Sequence, residues 1–177
     1  MTNVPVLGFS KRGVDLRTFD DALKFARAVV LSGMAPKGMT AEGVVVCVQI
    51  GLELGFTPMQ SLQVIAPING RPTLWGDGIP ALLWDNGFEI EESISGEGDG
   101  RIAQCIVTRP NGKKIIRTFS VADAKVARLW QKKGRDGQDT PWITYPDRML
   151  QMRARAWAAR DCAADVLRGV RVREEEI

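Results

Sequence analysis

Histidine is absent from this 177-residue chain. Its absence removes Ser-His and Cys-His nucleophilic catalysis, and the side chain that most often moves protons near neutral pH. It also removes the usual nitrogen ligand for zinc. Cysteine is scarce. Cys47, Cys105 and Cys162 are odd in number, far apart and form no CxxC pair. They read as reduced, buried thiols, not as a disulfide framework or a metal site. No apolar run approaches the roughly 20 residues that span a bilayer. The start, MTNVPVLGFSKRG, lacks the apolar core and cleavage site of a secretory leader. The expected compartment is therefore the cytoplasm. Neither G-x-x-x-x-G-K-[ST] nor G-x-G-x-x-G occurs, so phosphate-cradle nucleotide binding and an ATP-driven motor are not expected. No cofactor is expected.

Charge is present and unevenly placed. Residues 1–100 carry seven Lys/Arg against twelve Asp/Glu, a net of −5, whereas residues 101–173 carry seventeen against six, a net of +11. Glu174, Glu175 and Glu176 follow, and the whole chain is only +3. A basic half on a nearly neutral protein points to a polyanion or to an acidic neighbouring subunit. Sixteen of the 24 basic residues are Arg, which favours bidentate phosphate contacts and stacking over simple solubility.

Read in order, residues 1–18 form a basic N-terminal arm with Lys11, Arg12 and Arg17. Thr18 or Asp20 caps a helix over 19–34, and Thr40 caps a second over 41–54. The second is apolar nearly all round, so it is expected to be buried, and Gly51 within it suggests close packing. Pro58 opens a short third helix through about residue 62. Asn69-Gly70 between two β-rich runs predicts a hairpin, and a helix follows over 79–86. Residues 88–95, 101–109 and 113–119 alternate as three strands, the last two joined at Asn111-Gly112. Ser120 caps a helix through about residue 132. A polar loop to Thr140, the expected internal hinge, leads to a long helix, 146–168, opened by Pro146 and stopped by Gly169. The expected class is α+β: N-terminal helices, a β-hairpin, a helix, a three-stranded antiparallel meander and two C-terminal helices. One core domain covers 19–170, and an acidic tail covers 171–177.

The long helix is expected to dock by a narrow stripe of Met149, Met152, Ala156, Ala159, Ala163 and Leu167. Arg153 and Arg160 flank it on one side and Arg148 and Arg155 on the other, each pair seven apart, with Trp157 beside the first. Such rows suit phosphates and stacked bases. The plainer reading is a solvated helix whose Arg stems cover the core edge. The meander adds Arg101, Arg109, Lys113, Lys114 and Arg117, and the loop adds Lys132, Lys133 and Arg135. Trp142 and Tyr145 stand at the helix entry, and Arg71 stands beside the hairpin turn. For Trp130, Trp142 and Trp157 core packing is the competing role. A metal-dependent nuclease built on Asp85, Glu89, Glu91 and Glu92 is a further alternative, although Glu89 and Glu91 alternate with Phe88 and Ile90 as a solvated strand face does.

Three segments, VVVCVQIGLELGFTPMQSLQ, VIAPINGRPTLWGDGIPALLWDNG and PWITYPDRMLQMRARAWAARD, taken in that order, resemble the RecT/Redβ family of phage single-strand annealing proteins. The resemblance spans about residues 19–170. It implies an ATP-independent recombinase, without covalent catalysis, that binds single-stranded DNA and anneals complementary strands. It implies a homo-oligomer, ring or helical filament, with DNA in a continuous basic groove. It also implies a phage or prophage origin in a bacterial cell, with a phage exonuclease or a host single-strand binding protein as partner. By resemblance, Trp142, Arg148, Arg153, Arg155 and Arg160 line the groove. The chain is shorter at its C-terminus than the family members it resembles. A generic DNA- or RNA-binding module without annealing activity remains the alternative.

Overall fold

Asn69 and Gly70 adopt the left-handed region, with φ of 52° and 73°, as a two-residue hairpin turn of the primed type requires. The turn sets the register of the strands on either side, with Ile65 opposite Leu74 and Ile68 opposite Arg71. In this computed structural model, which describes residues 9–10 and 13–173, such local signals fix most elements of an α+β architecture.

The chain divides into two compact units, with the boundary at Gly78. The sequence reads as one core through that point, and no linker marks it. The first unit begins with a small antiparallel pair, β1 (Phe9–Ser10) and β2 (Gly13–Val14). Lys11 and Arg12 of the expected basic arm lie outside the described residues. Arg17 is exposed, and its Nε donates to Asp15 at 2.7 Å. Helix α1 (Phe19–Leu31) is closed at its start by a capping box: Asp21 N–H donates to Thr18 Oγ1, and Thr18 N–H to the Asp21 carboxylate, both at 3.1 Å. These bonds hold the Asp21 carboxyl below its ordinary pKa.

Thr40 caps α2 (Ala41–Glu53) through Gly43 N–H. This helix is not buried all round. Val44, Cys47, Val48 and Gly51 are buried, whereas Val46 is 55% and Leu52 44% exposed. Pro58 occupies the first turn of α3 (Pro58–Val64). A Cβ at Gly51 would collide with the Ser61 side chain, so glycine there allows α2 and α3 to touch, as its position suggested. The strands β3 (Ile65–Ile68) and β4 (Arg71–Leu74) form the hairpin.

The second unit opens with α4, Gly78–Asp85, whose first residue is the boundary itself. The antiparallel meander β5 (Glu89–Ser95), β6 (Ile102–Thr108) and β7 (Lys114–Ser120) follows. Ser120 caps α5 (Val121–Val126) with a capping box to Asp123. The expected helix to 132 ends early, because Arg128 and Gln131 take left-handed conformations with φ of 55° each. A short α6 (Pro141–Thr144) precedes the long helix α7 (Pro146–Cys162). Helix α7 is about 26 Å long at 1.5 Å per residue. It breaks at Ala163, earlier than the sequence suggests, and α8 (Ala164–Leu167) and β8 (Arg171–Val172) follow. Residues 174–177 of the acidic tail lie outside the described residues. Among the described residues, no single helix is long and apolar enough to cross a membrane.

Candidate nucleic-acid interface

The meander presents one face to α7. Strand alternation and register put Ile90, Glu92 and Ile94 of β5 on it, beside Ala103, Cys105 and Val107 of β6 and Ile115, Arg117 and Phe119 of β7. Helix α7 packs across all three strands. Ala154, Ala156, Ala158, Ala159 and Cys162 are buried on it, and the Cys162 thiol lies 3.4 Å from the Val107 carbonyl. Alanine permits the close approach that the sequence implied. All three cysteines are free and buried. Burial pushes the Cys105 thiol up to about 12, so it stays protonated.

A file of arginine–carboxylate pairs clamps this contact. Arg155 Nε and Nη2 donate to the two Glu92 carboxylate oxygens at 2.9 and 2.6 Å. The Arg155 side chain is only 6% exposed. Arg117 Nε donates to Asp161 at 2.6 Å. Arg109 grips both Asp165 oxygens at 2.8 and 2.7 Å, donates to the Cys162 carbonyl at 2.6 Å, and lies 5.1 Å from the Phe88 ring centre. The Arg109 guanidinium holds the Asp165 carboxyl down to about 2. At the other end, Arg101 Nη1 donates to Asp147 at 2.5 Å and its Nε to the Gly98 carbonyl at 2.9 Å. Planar forks matched to carboxylates suit such fixed joints.

The expectation of a solvent-facing arginine row on α7 therefore needs correction. Arg153 and Arg155 are buried, Arg160 is half-buried, and Arg148, in the first turn, is exposed. The seven-residue spacing was real, but on a helix packed along most of its length it points guanidinium groups into the docked contact. Arg101, Arg109 and Arg117 are likewise engaged with carboxylates. Trp142 is 6% exposed and tilts against Phe119 at 6.4 Å. Trp157 is partly exposed and meets Phe119 edge-on at 5.0 Å.

Lysine stays at the surface, where Lys125 Nζ donates to Asp99 at 2.5 Å. Lys113 and Lys114 stand in solvent at the β6–β7 turn. Lys132, Lys133 and Arg135 are exposed on the polar loop. That loop is tied across its base, with Gly134 N–H donating to the Gln138 carbonyl at 2.9 Å, a Lys133–Asp139 bridge, and Thr140 Oγ1 bonded to the Lys132 carbonyl. These ties join the two ends of the loop that the sequence read as a hinge. The two cationic patches lie at opposite ends of the meander. Thr108 pairs with Lys114 at one end and Ile102 with Ser120 at the other, six steps or about 20 Å apart. Arg71 is exposed in the first unit.

The four carboxylates of the nuclease alternative do not converge. Glu89 and Glu91 project from the face of β5 opposite to Glu92, which is held by Arg155. Among the described residues, no group of three or more Cys, Asp or Glu is placed to hold a metal ion.

Sequence reasoning missed the Arg101–Trp130 stack, in which the guanidinium lies 5.2 Å from the ring centre. The left-handed residues on either side of Trp130 are not glycines and gave no signal. No family model, no curated protein and no solved structure matches this chain.

Proposed function

We propose that this chain binds single-stranded DNA through the exposed cations of its second unit and promotes annealing of complementary strands without ATP. The observation that carries this reading is how the positive charge is sorted. Most of the meander and α7 arginines are engaged within the fold, whereas Lys113, Lys114 and Lys132 are left in solvent at two ends of one meander. Exposed lysines that serve no visible packing role are suited to phosphates, where neutralisation releases counterions. Annealing needs a surface that relieves repulsion between two polyanions and leaves base edges free to pair. It asks for no covalent catalyst. The resemblance of the three quoted segments to single-strand annealing proteins supports the same reading.

Assembly into a homo-oligomer belongs to this proposal. Phe19, Leu31 and Met34, on and just after α1, are 73%, 87% and 67% exposed. Large apolar side chains left in solvent on one unit favour self-association.

The test mixes complementary oligonucleotides, one with a fluorophore and one with a quencher, with the protein in EDTA and without ATP. Quenching faster than in the protein-free control supports annealing. Strand binding with no acceleration reduces the protein to a binding module. Strand cleavage that appears only with Mg²⁺ favours the nuclease alternative.

A further inference from the structure

Where α5 ends and α7 begins, a cavity of about 480 Å³ opens, lined by Arg101, Trp130, Lys133, Asp139, Trp142 and Pro146, among others. Its size lies within the usual range for small-ligand sites. We infer that this cavity receives one unstacked nucleobase of a bound strand. The inference rests on the nucleic-acid reading above and assigns one part of that interface a distinct duty.

The wall's chemistry selects a base over a phosphate. Arg101 is already paired with Asp147 at 2.5 Å, and Lys133 lies 3.8 Å from Asp139. Two cations against two carboxylates leave an anion little to gain here. The rest of the lining is two indoles, Gln131, Ile143 and Pro146. That surface fits a flat, neutral ring with polar edges. Arg101 already lies over Trp130 at 5.2 Å, and a guanidinium plane stacks a base on its free side as readily as an aromatic does. The engaged nitrogens of Arg101 are Nε and Nη1, which leaves Nη2 to bond a base edge. Lys132 and Arg135, exposed on the adjoining loop, are placed to take the flanking phosphates.

The backbone is held in the shape this requires. Trp130 sits between Arg128 and Gln131, both left-handed without being glycine. Such conformations are strained and persist where the surroundings enforce them, often at ligand sites. The loop ties described above fix the opposite wall. Buried Trp142, tilted on Phe119, supplies the floor.

The experiment compares two oligomers of equal length at low salt. One carries bases, and the other is abasic with the same phosphates. Wild-type protein is expected to prefer the base-bearing oligomer. Trp130→Ala should lower that affinity about 5- to 150-fold, the range for one lost stacking contact, and leave abasic binding unchanged. Trp130→Phe should restore most of the loss. Equal wild-type affinity for both oligomers overturns the pocket while leaving the phosphate surface intact. A folded Trp130→Ala variant with unchanged affinity also overturns it. If wild type binds neither oligomer, the nucleic-acid reading falls and the pocket falls with it. The abasic comparison uses the unaltered chain, so it decides the question even if the variants do not fold.

Discussion

In the second unit Arg109, Arg117 and Arg155 carry the same charge as Lys113, Lys114 and Lys132 and serve a different end. Along the contact of α7 and α8 with the meander, Arg109, Arg117 and Arg155 meet Asp165, Asp161 and Glu92 at 2.6 to 2.9 Å. At the β6–β7 turn and on the polar loop, Lys113, Lys114 and Lys132 stand in solvent, whereas Lys125 and Lys133 are exposed but paired with Asp99 and Asp139 at 2.5 and 3.8 Å. The fork of a guanidinium fits a carboxylate and holds two elements in register. An ammonium on a flexible stem is a mobile point charge, better suited to tracking a partner's backbone. A charge count over residues 101–173 sums both populations and so overstates the surface offered to a polyanion.

The sharpest way to break this contrast is to cut one clamp. Arg155→Ala leaves Glu92 partly buried without its partner and should cost about 3–5 kcal/mol, read as a clear fall in the denaturant midpoint. Single-strand affinity of the protein that remains folded should hold. A loss of affinity at constant stability would place Arg155 on the binding surface instead. Next in size is the loop. Joint replacement of Lys132 and Arg135 by Gln should leave stability within about 0.5 kcal/mol. It should also reduce the salt dependence of single-strand binding by about 1.4 in log–log slope, at roughly 0.7 per lost phosphate contact. Replacing Lys113 and Lys114 together should reduce the slope by about 1.4 on the same basis. An unchanged slope would confine the interface to the pocket end of the meander.

The smallest effect concerns Asp165, whose carboxyl Arg109 holds down to about 2. In the unfolded chain an aspartate titrates near 3.9. The unfolded state therefore takes up the proton first as pH falls. The pair's contribution is complete above about pH 4 and disappears as pH drops toward 2. Asp165→Asn should flatten that part of the stability–pH curve relative to wild type. Parallel curves would show that the Arg109 contact adds nothing measurable.

Most elements were legible because their signals are local. Thr18, Thr40 and Ser120 cap through their own side chains, Pro58 opens a helix, and Asn69-Gly70 sets a hairpin. The break of α7 at Ala163 was not legible, since neither Gly nor Pro stands there. The clamps were hidden for a different reason: Arg155 and Glu92 are 63 residues apart, and Arg117 and Asp161 are 44 apart. One clue was nevertheless present. Period-two alternation on β5 groups Glu92 with Ile90 and Ile94, on the packed face, and apart from Glu89 and Glu91. An acidic residue on an apolar face asks for a basic partner, and a helix rich in arginine lay downstream. Likewise, α2 looked buried by composition, yet Val46 and Leu52 are exposed. Composition cannot tell a core face from an apolar face left for another molecule.

The most direct measurement is the affinity of the intact protein for a single-stranded oligonucleotide across a salt series. With Lys113, Lys114, Lys132 and Arg135 each meeting a phosphate, log affinity should fall against log salt with a slope of about −2.8. A slope near zero, or no binding at low salt, would contradict the account.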